Sequence, residues 1–168
     1  MAPSGPIRGR DREAGDLRHN KGMADRVTEQ TVIAADPEIV RDVLLDFPRY
    51  PEWATDLKSV EVLRTDEQGR GLEVRFRAAA MGRSTSYVLR YDHGDPNRIA
   101  WKLVEGDVTR KLDGHYQLTP DPSGTRIDYV LEAKLKLPLP GFVKNRAQGR
   151  IMNAALVDLK ARAEAMAK

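Results

Sequence analysis

Cysteine is missing from this sequence altogether, which removes thiol nucleophiles, disulfide frameworks and thiolate metal sites, and fits a reducing compartment such as the cytoplasm. Long hydrophobic runs are missing too. No stretch approaches the ~20 apolar residues a membrane span needs, and no charged-then-apolar leader opens the chain. Histidine is scarce: His19, His93 and His115 fall in separate stretches, so no cluster is spaced to hold a metal ion. No Gly-x-Ser-x-Gly elbow, Walker loop or dinucleotide-binding glycine loop occurs, and Gly69-Arg70-Gly71 reads as a hairpin turn. A strong charge of one sign is absent as well. With 28 basic and 25 acidic residues the net charge is +3, too balanced for the segregated basic surface that a nucleic-acid partner requires. The expectation is a cytoplasmic protein without metal, cofactor, nucleic acid or transmembrane segment, either a monomer or a homodimer.

Of the patterned stretches, the last is the longest. From Gly141 to Met166, Phe142, Val143, Ala147, Ile151, Ala154, Ala155, Leu159, Ala163 and Met166 recur at steps of three or four, the spacing of an amphipathic helix about 40 Å long. Its expected inner stripe includes Ala147, Ala154 and Ala155, small residues that leave room for a pocket. Leu137-Pro138-Leu139-Pro140 stops the strand before it. At the other end, Met1 to Gly22 holds five Arg or Lys, three Asp or Glu and few large aliphatics. That segment cannot build a core and is predicted to be an unstructured extension, with a single domain over residues 23–168.

Between them the chain reads strand, two short helices, six strands. Val27 to Ile33 is rich in β-branched residues. Asp36-Pro37-Glu38 supplies an N-cap oxygen, a proline at the first helical position and an acid near the positive helix end. Pro48 and Pro51 then break the second helical segment, which carries Phe47, Tyr50 and Trp53. Six β-rich runs follow at regular spacing, from Leu57 to Leu137, each bounded by turn residues. Loops this short require antiparallel neighbours. Alternation places Val74, Phe76 and Ala78 on the helix-facing side, with Thr85, Tyr87, Leu89 and Tyr91, then Ile99 and Trp101. The same rule adds Arg110, Leu112, Gly114, Tyr116 and Leu118, then Ile127, Tyr129 and Leu131. It turns Arg75, Arg77, Lys102, Lys111, His115, Arg126 and Lys134 outward.

The order of these elements, with Ala35-Asp36-Pro37-Glu38, Tyr50-Pro51-x-Trp53, Gly114-x-Tyr116-x-Leu118, Gly124-Thr125-x-Ile127 and Leu137-Pro138, resembles the START-like (helix-grip, SRPBCC) superfamily. Within it, the sequence is similar to the bacterial polyketide cyclase/dehydrase and coenzyme Q-binding branch. The resemblance runs from Arg26 to Lys168. It implies an α+β helix-grip fold, a curved seven-stranded antiparallel sheet wrapped around the C-terminal helix, with two short helices after the first strand and an apolar cavity between sheet and helix.

That cavity would hold a small hydrophobic ligand such as a polyketide, isoprenoid quinone or lipid. Phe76, Tyr87, Trp101, Arg110, Tyr116, Tyr129, Ile151 and Ala155 are the expected lining. Arg110 carries the most chemistry, because a guanidinium aimed into an apolar chamber needs a carboxylate or a carbonyl-bearing ligand; otherwise it snorkels to the rim. An alternative is a cofactor-independent polyketide cyclase/dehydrase, with Arg110 holding an enolate oxygen and Tyr87 or Tyr129 moving the proton. A second alternative is an interaction module, similar to the ribosome-association toxin branch, acting through the outward cations.

Overall fold

The computed structural model describes residues 25–80, 82–136 and 140–168. The expected extension over residues 1–22 and the strand stop at 137–139 lie outside them. Strand β1 (Asp25–Ile33) leads into helix α1 (Pro37–Leu45), a 3-10 turn (Phe47–Arg49) and the one-turn helix α2 (Tyr50–Trp53). Six strands follow: β2 (Leu57–Thr65), β3 (Gly71–Ala80), β4 (Arg83–Asp95), β5 (Arg98–Gly106), β6 (Thr109–Asp121) and β7 (Gly124–Leu135). Helix α3 (Gly141–Met166) closes the chain. The strands form one antiparallel sheet in the order β1-β7-β6-β5-β4-β3-β2, so α1 and α2 carry the chain from one edge of the sheet to the other.

Helix α1 starts at Pro37 as expected, but by a different device. The Asp36 side chain makes no capping hydrogen bond. Its backbone carbonyl accepts instead from the amides of Ile39 and Val40, at 3.0 and 3.2 Å. The prolines at 48 and 51 hold the next segment to single turns, and the Tyr50 hydroxyl donates to the Leu44 carbonyl, folding α2 back on α1. Phe47 drops into the core because Gly71 stands beneath it, where a Cβ would lie 2.7 Å from the ring.

Strand alternation places the core as expected, with Val74, Phe76, Leu89, Tyr91, Ile99, Trp101, Leu118, Ile127, Tyr129 and Leu131 all buried. Two expectations are corrected. In β6, Arg110 sits in a register shift between Thr109, which faces Leu135, and Lys111, which faces Lys134. The extra residue reverses the parity of the strand start. Thr109 is therefore buried and Arg110 exposed.

The second correction concerns α3. Among its described residues Gln148, Met152, Leu156, Leu159 and Ala163 are buried, whereas Ile151 is 42% exposed. The inner stripe is thus rotated by about one residue near its start. Polar contacts hold that rotation. Gln148 Nε2 donates to the Leu131 carbonyl at 2.8 Å. Glu164 accepts from the Ala34 amide at 2.8 Å, and Asp158 accepts the amide and hydroxyl of Thr55 at 3.0 and 2.9 Å. Lys160 donates to the Val32 carbonyl at 2.7 Å.

Candidate functional site

Between α3 and the sheet, the side chains that alternation sends inward are aromatic to an unusual degree. All five tyrosines of the chain, Tyr50, Tyr87, Tyr91, Tyr116 and Tyr129, belong to this interior. Phe76 stacks on Tyr87 with ring centroids 5.5 Å apart and an interplanar angle of 22°. Across the sheet, Trp101 meets Tyr116 at 5.2 Å and Tyr129 at 6.0 Å, and Tyr116 and Tyr129 meet at 4.4 Å. Phe47 and Tyr91 join the two groups, with Phe47 6.4 Å from Phe76 and 4.7 Å from Tyr91, and Tyr91 5.9 Å from Trp101.

Trp101 can occupy the centre because its cross-strand partner is Gly114, and the ring passes where a side chain would stand. Beyond this pair the β5–β6 ladder ends. Asp113 Oδ1 then accepts the Leu103 amide at 3.0 Å in place of a backbone partner.

This interior holds no fully buried charged side chain among the described residues, and Glu29 on β1 is half-buried beside it. Burial pushes the phenols of all five tyrosines well above their ordinary range, and neighbouring tyrosines add to the shift. They therefore remain protonated, as hydrogen-bond donors, at any physiological pH. Tyr87 is only half-buried, and neither its hydroxyl nor that of Tyr91 has a hydrogen-bond partner among the described residues. The buried polar side chains among those residues are Thr85, Thr109, Thr125 and Gln148. None of them carries charge.

Of the residues expected from sequence, Phe76, Tyr87, Trp101, Tyr116 and Tyr129 come together in this aromatic core, and Ala155 packs against it. Arg110 and Ile151 do not. Arg110 lies on the exposed bulge, so the Arg110→Ala variant is expected to stay within about 0.5 kcal/mol of the parent in a denaturant melt. Tyr91 and Met152 take part unannounced. The alternation that selects Tyr87 also contains Tyr91, whereas nothing in the helix pattern distinguishes Met152 from Ile151.

The outer face of the sheet carries two open grooves of about 600 and 390 Å³. Their charged side chains are largely satisfied by one another. Lys111 and Arg26 lie 3.1 and 3.9 Å from Glu132, Arg75 lies 3.1 Å from Glu61, and Asp107 receives the Thr85 hydroxyl at 2.6 Å and the Ser86 amide at 3.0 Å. His115 opens here as well. Burial, then Arg98, lowers its pKa, and Arg98 approaches its Nδ1 at 3.4 Å. Arg77, Lys102, Arg126 and Lys134 are exposed, as expected. Among the described residues no group of three or more His, Asp or Glu is placed to hold a metal ion, and no helix is long and apolar enough to cross a membrane.

Known proteins share this architecture. A START superfamily protein from Mycobacterium smegmatis is 25% identical, with a TM-score of 0.80 over 84% of this chain and 98% of its own. A protein from Thermus thermophilus is 24% identical, with a TM-score of 0.72 over 85% and 99% of the two chains. The Zhui aromatase/cyclase from Streptomyces sp. R1128 shares the fold at 18% identity, with a TM-score of 0.73 over 83% and 93%. No curated protein matches the sequence. Residues 24–164 match the family described as polyketide cyclase/dehydrase and lipid transport. With that match spanning the sheet, the aromatic core and nearly all of α3, this chain belongs to the polyketide cyclase/dehydrase and lipid transport family, in the START-like, helix-grip fold.

Proposed function

We propose that the chain binds a neutral hydrophobic ligand bearing keto or quinone oxygens in the chamber between α3 and the sheet. One observation carries this reading. Every tyrosine of the chain faces the interior while no cation is buried there among the described residues, the one inward carboxylate, Glu29, being half-buried. Aromatic rings supply stacking surface for a planar ligand, and unpartnered phenols supply donors for its oxygens. A carboxylate or phosphate, by contrast, would lose its hydration without a buried cation to offset it. Among the polyketides, quinones and lipids that the family's fold accommodates, this favours a polyketone or quinone over a fatty acid or phospholipid.

Calorimetric titration with a 1,4-naphthoquinone and with palmitate tests the reading. The quinone is expected to bind at least about tenfold more tightly, and the Tyr87→Phe variant to lose roughly five- to tenfold of that affinity, the worth of one hydrogen bond. Palmitate binding as tightly as the quinone would remove the neutral-ligand reading, and no binding of either would remove the ligand-binding function.

Catalysis is a narrower reading of the same chamber. Glu29 lies on the inward side of β1, in register with Tyr129, so a carboxylate stands beside a phenol. The carboxylate would take a proton from a β-ketone while phenols hold the enolate oxygen. A poly-β-ketone turned over by the parent protein but only bound by a Glu29→Gln variant would favour it.

A further inference from the structure

The smaller groove on the outer face of the sheet, about 390 Å³ over β2 to β4, is lined by hydroxyls and guanidinium groups. Alternation turns Arg77 outward between Phe76 and Ala78, which are buried. Strand register then sets Ser59 of β2 and Ser86 of β4 on either side of it, each one strand spacing of ~4.8 Å away. Ser84 lies on the same face, opposite the small Ala79. Lys58 stands at the register shift between Leu57 and Ser59, and its ammonium reaches across β3 to donate to Ser84 Oγ at 2.8 Å. The neighbouring charges are already committed. Arg75 lies 3.1 Å from Glu61, and Asp107 accepts the Thr85 hydroxyl and the Ser86 amide. Arg77 and Lys58 are not committed in this way. Among the described residues neither pairs with a carboxylate, and the hydroxyls of Ser59 and Ser86 have no hydrogen-bond partner.

We propose that this groove binds the phosphate group of a small molecule, as the free ion or as a monoester. Two cations and three serines on neighbouring strands face the same way, which gathers donors around one place. A phosphate dianion spreads its oxygens tetrahedrally, so the Arg77 fork can take one edge, the Lys58 ammonium a second and serine hydroxyls the rest. A carboxylate has only two oxygens in one plane, enough for Arg77 but leaving Lys58 unmatched. The three serines are fixed by paired strands, so only the two long cations must order on binding. Glu61 and Asp107 flank the groove on its two sides. They leave room for one phosphate, whereas a polynucleotide requires cations in succession along a track. The site lies on the face opposite the aromatic core and does not depend on what that core binds.

NMR titration of the isotope-labelled full chain with inorganic phosphate and with glucose 6-phosphate, against sodium chloride at equal ionic strength, tests the inference. The backbone amides of Arg77, Ser84 and Ser86 are expected to shift saturably, with a Kd of about 5 mM or tighter. Affinity should rise at least about threefold between pH ~5.5 and pH ~7.5, as phosphate loses its second proton near pH ~6. Arg77→Gln should weaken binding at least about tenfold, and Ser84→Ala combined with Ser86→Ala about fivefold, with thermal melts unmoved because these side chains are on the surface. The ester binding as tightly as inorganic phosphate, or more tightly, assigns the groove to a phosphorylated small molecule; inorganic phosphate binding alone assigns it to the free ion. No saturable shift below about 20 mM phosphate, shifts that chloride reproduces, or an affinity unchanged by Arg77→Gln overturns the proposal. So would tight binding of a uridine oligonucleotide by a protein indifferent to both phosphates, which would give the groove to RNA.

Discussion

Replacing Gly114 with alanine is expected to destabilise the protein by about 3 kcal/mol or more and to lower its melting temperature by roughly 6–12 °C. A Cβ at this position would lie 2.4 Å from the Val130 carbonyl oxygen, 2.9 Å from the Trp101 ring and 3.1 Å from a Leu131 methyl. The first of these is backbone within a paired strand, so it cannot swing aside as a side-chain tip would. Either the β6–β7 ladder parts locally or Trp101 leaves its position over the glycine. Both routes reach the aromatic core, because Trp101 touches Tyr91, Tyr116 and Tyr129. Ligand affinity should therefore fall with stability. A calorimetric melt that moved by less than about 2 °C would mean that the sheet absorbs a methyl group here, and that Trp101 is not held by its glycine partner.

The second large effect separates two adjacent residues. Met152→Ala is expected to cost about 2–5 kcal/mol, the usual range for emptying a buried aliphatic site, because Met152 is fully buried among the core residues. Ile151→Ala, measured in dilute protein, should cost less than about 1 kcal/mol, as befits a side chain left 42% exposed. Urea melts of both variants decide the rotation of α3. Equal losses, or a larger loss at Ile151, would mean that the helix is seated on the other stripe.

That rotation shows where reading the chain alone stopped. Along α3 aliphatic and alanine residues occupy two faces, so the periodicity identified a helix without saying which side the sheet grips. Gln148, Asp158, Lys160 and Glu164 look like ordinary solvated polar residues in the sequence. Each is in fact tied to Leu131, Thr55, Val32 or Ala34, and together these contacts choose the face. A comparable loss of information occurs at Arg110. Alternation carries side-chain direction reliably along an unbroken strand, as it does for Phe76, Tyr87, Trp101, Tyr116 and Tyr129. One inserted residue reverses it, and nothing in Asp107-Val108-Thr109-Arg110 marks where the insertion falls.

The consequence for function is direct. With Arg110 inside, the interior would carry a cation suited to a carbonyl-bearing or enolate ligand; with Arg110 exposed, its polar groups are phenols, hydroxyls, an amide and the half-buried Glu29. The bulge thus removes the one cation that the sequence offered for a carbonyl or enolate oxygen, while the fold and its aromatic lining remain as read.

What the sequence determined by itself was everything governed by local pattern: strand and helix order, the antiparallel sheet with short loops, the aromatic inner face and the family resemblance. These depend on periodicity and turn chemistry, which act over a few residues and survive without knowledge of partners. Only the tertiary structure decided the seating of α3, the bulge at Arg110 and the meeting of Phe47 with Tyr91 that joins the two aromatic groups of the core. Each of those depends on contacts between residues tens of positions apart, where packing and hydrogen-bond satisfaction choose among alternatives that the local pattern leaves equal.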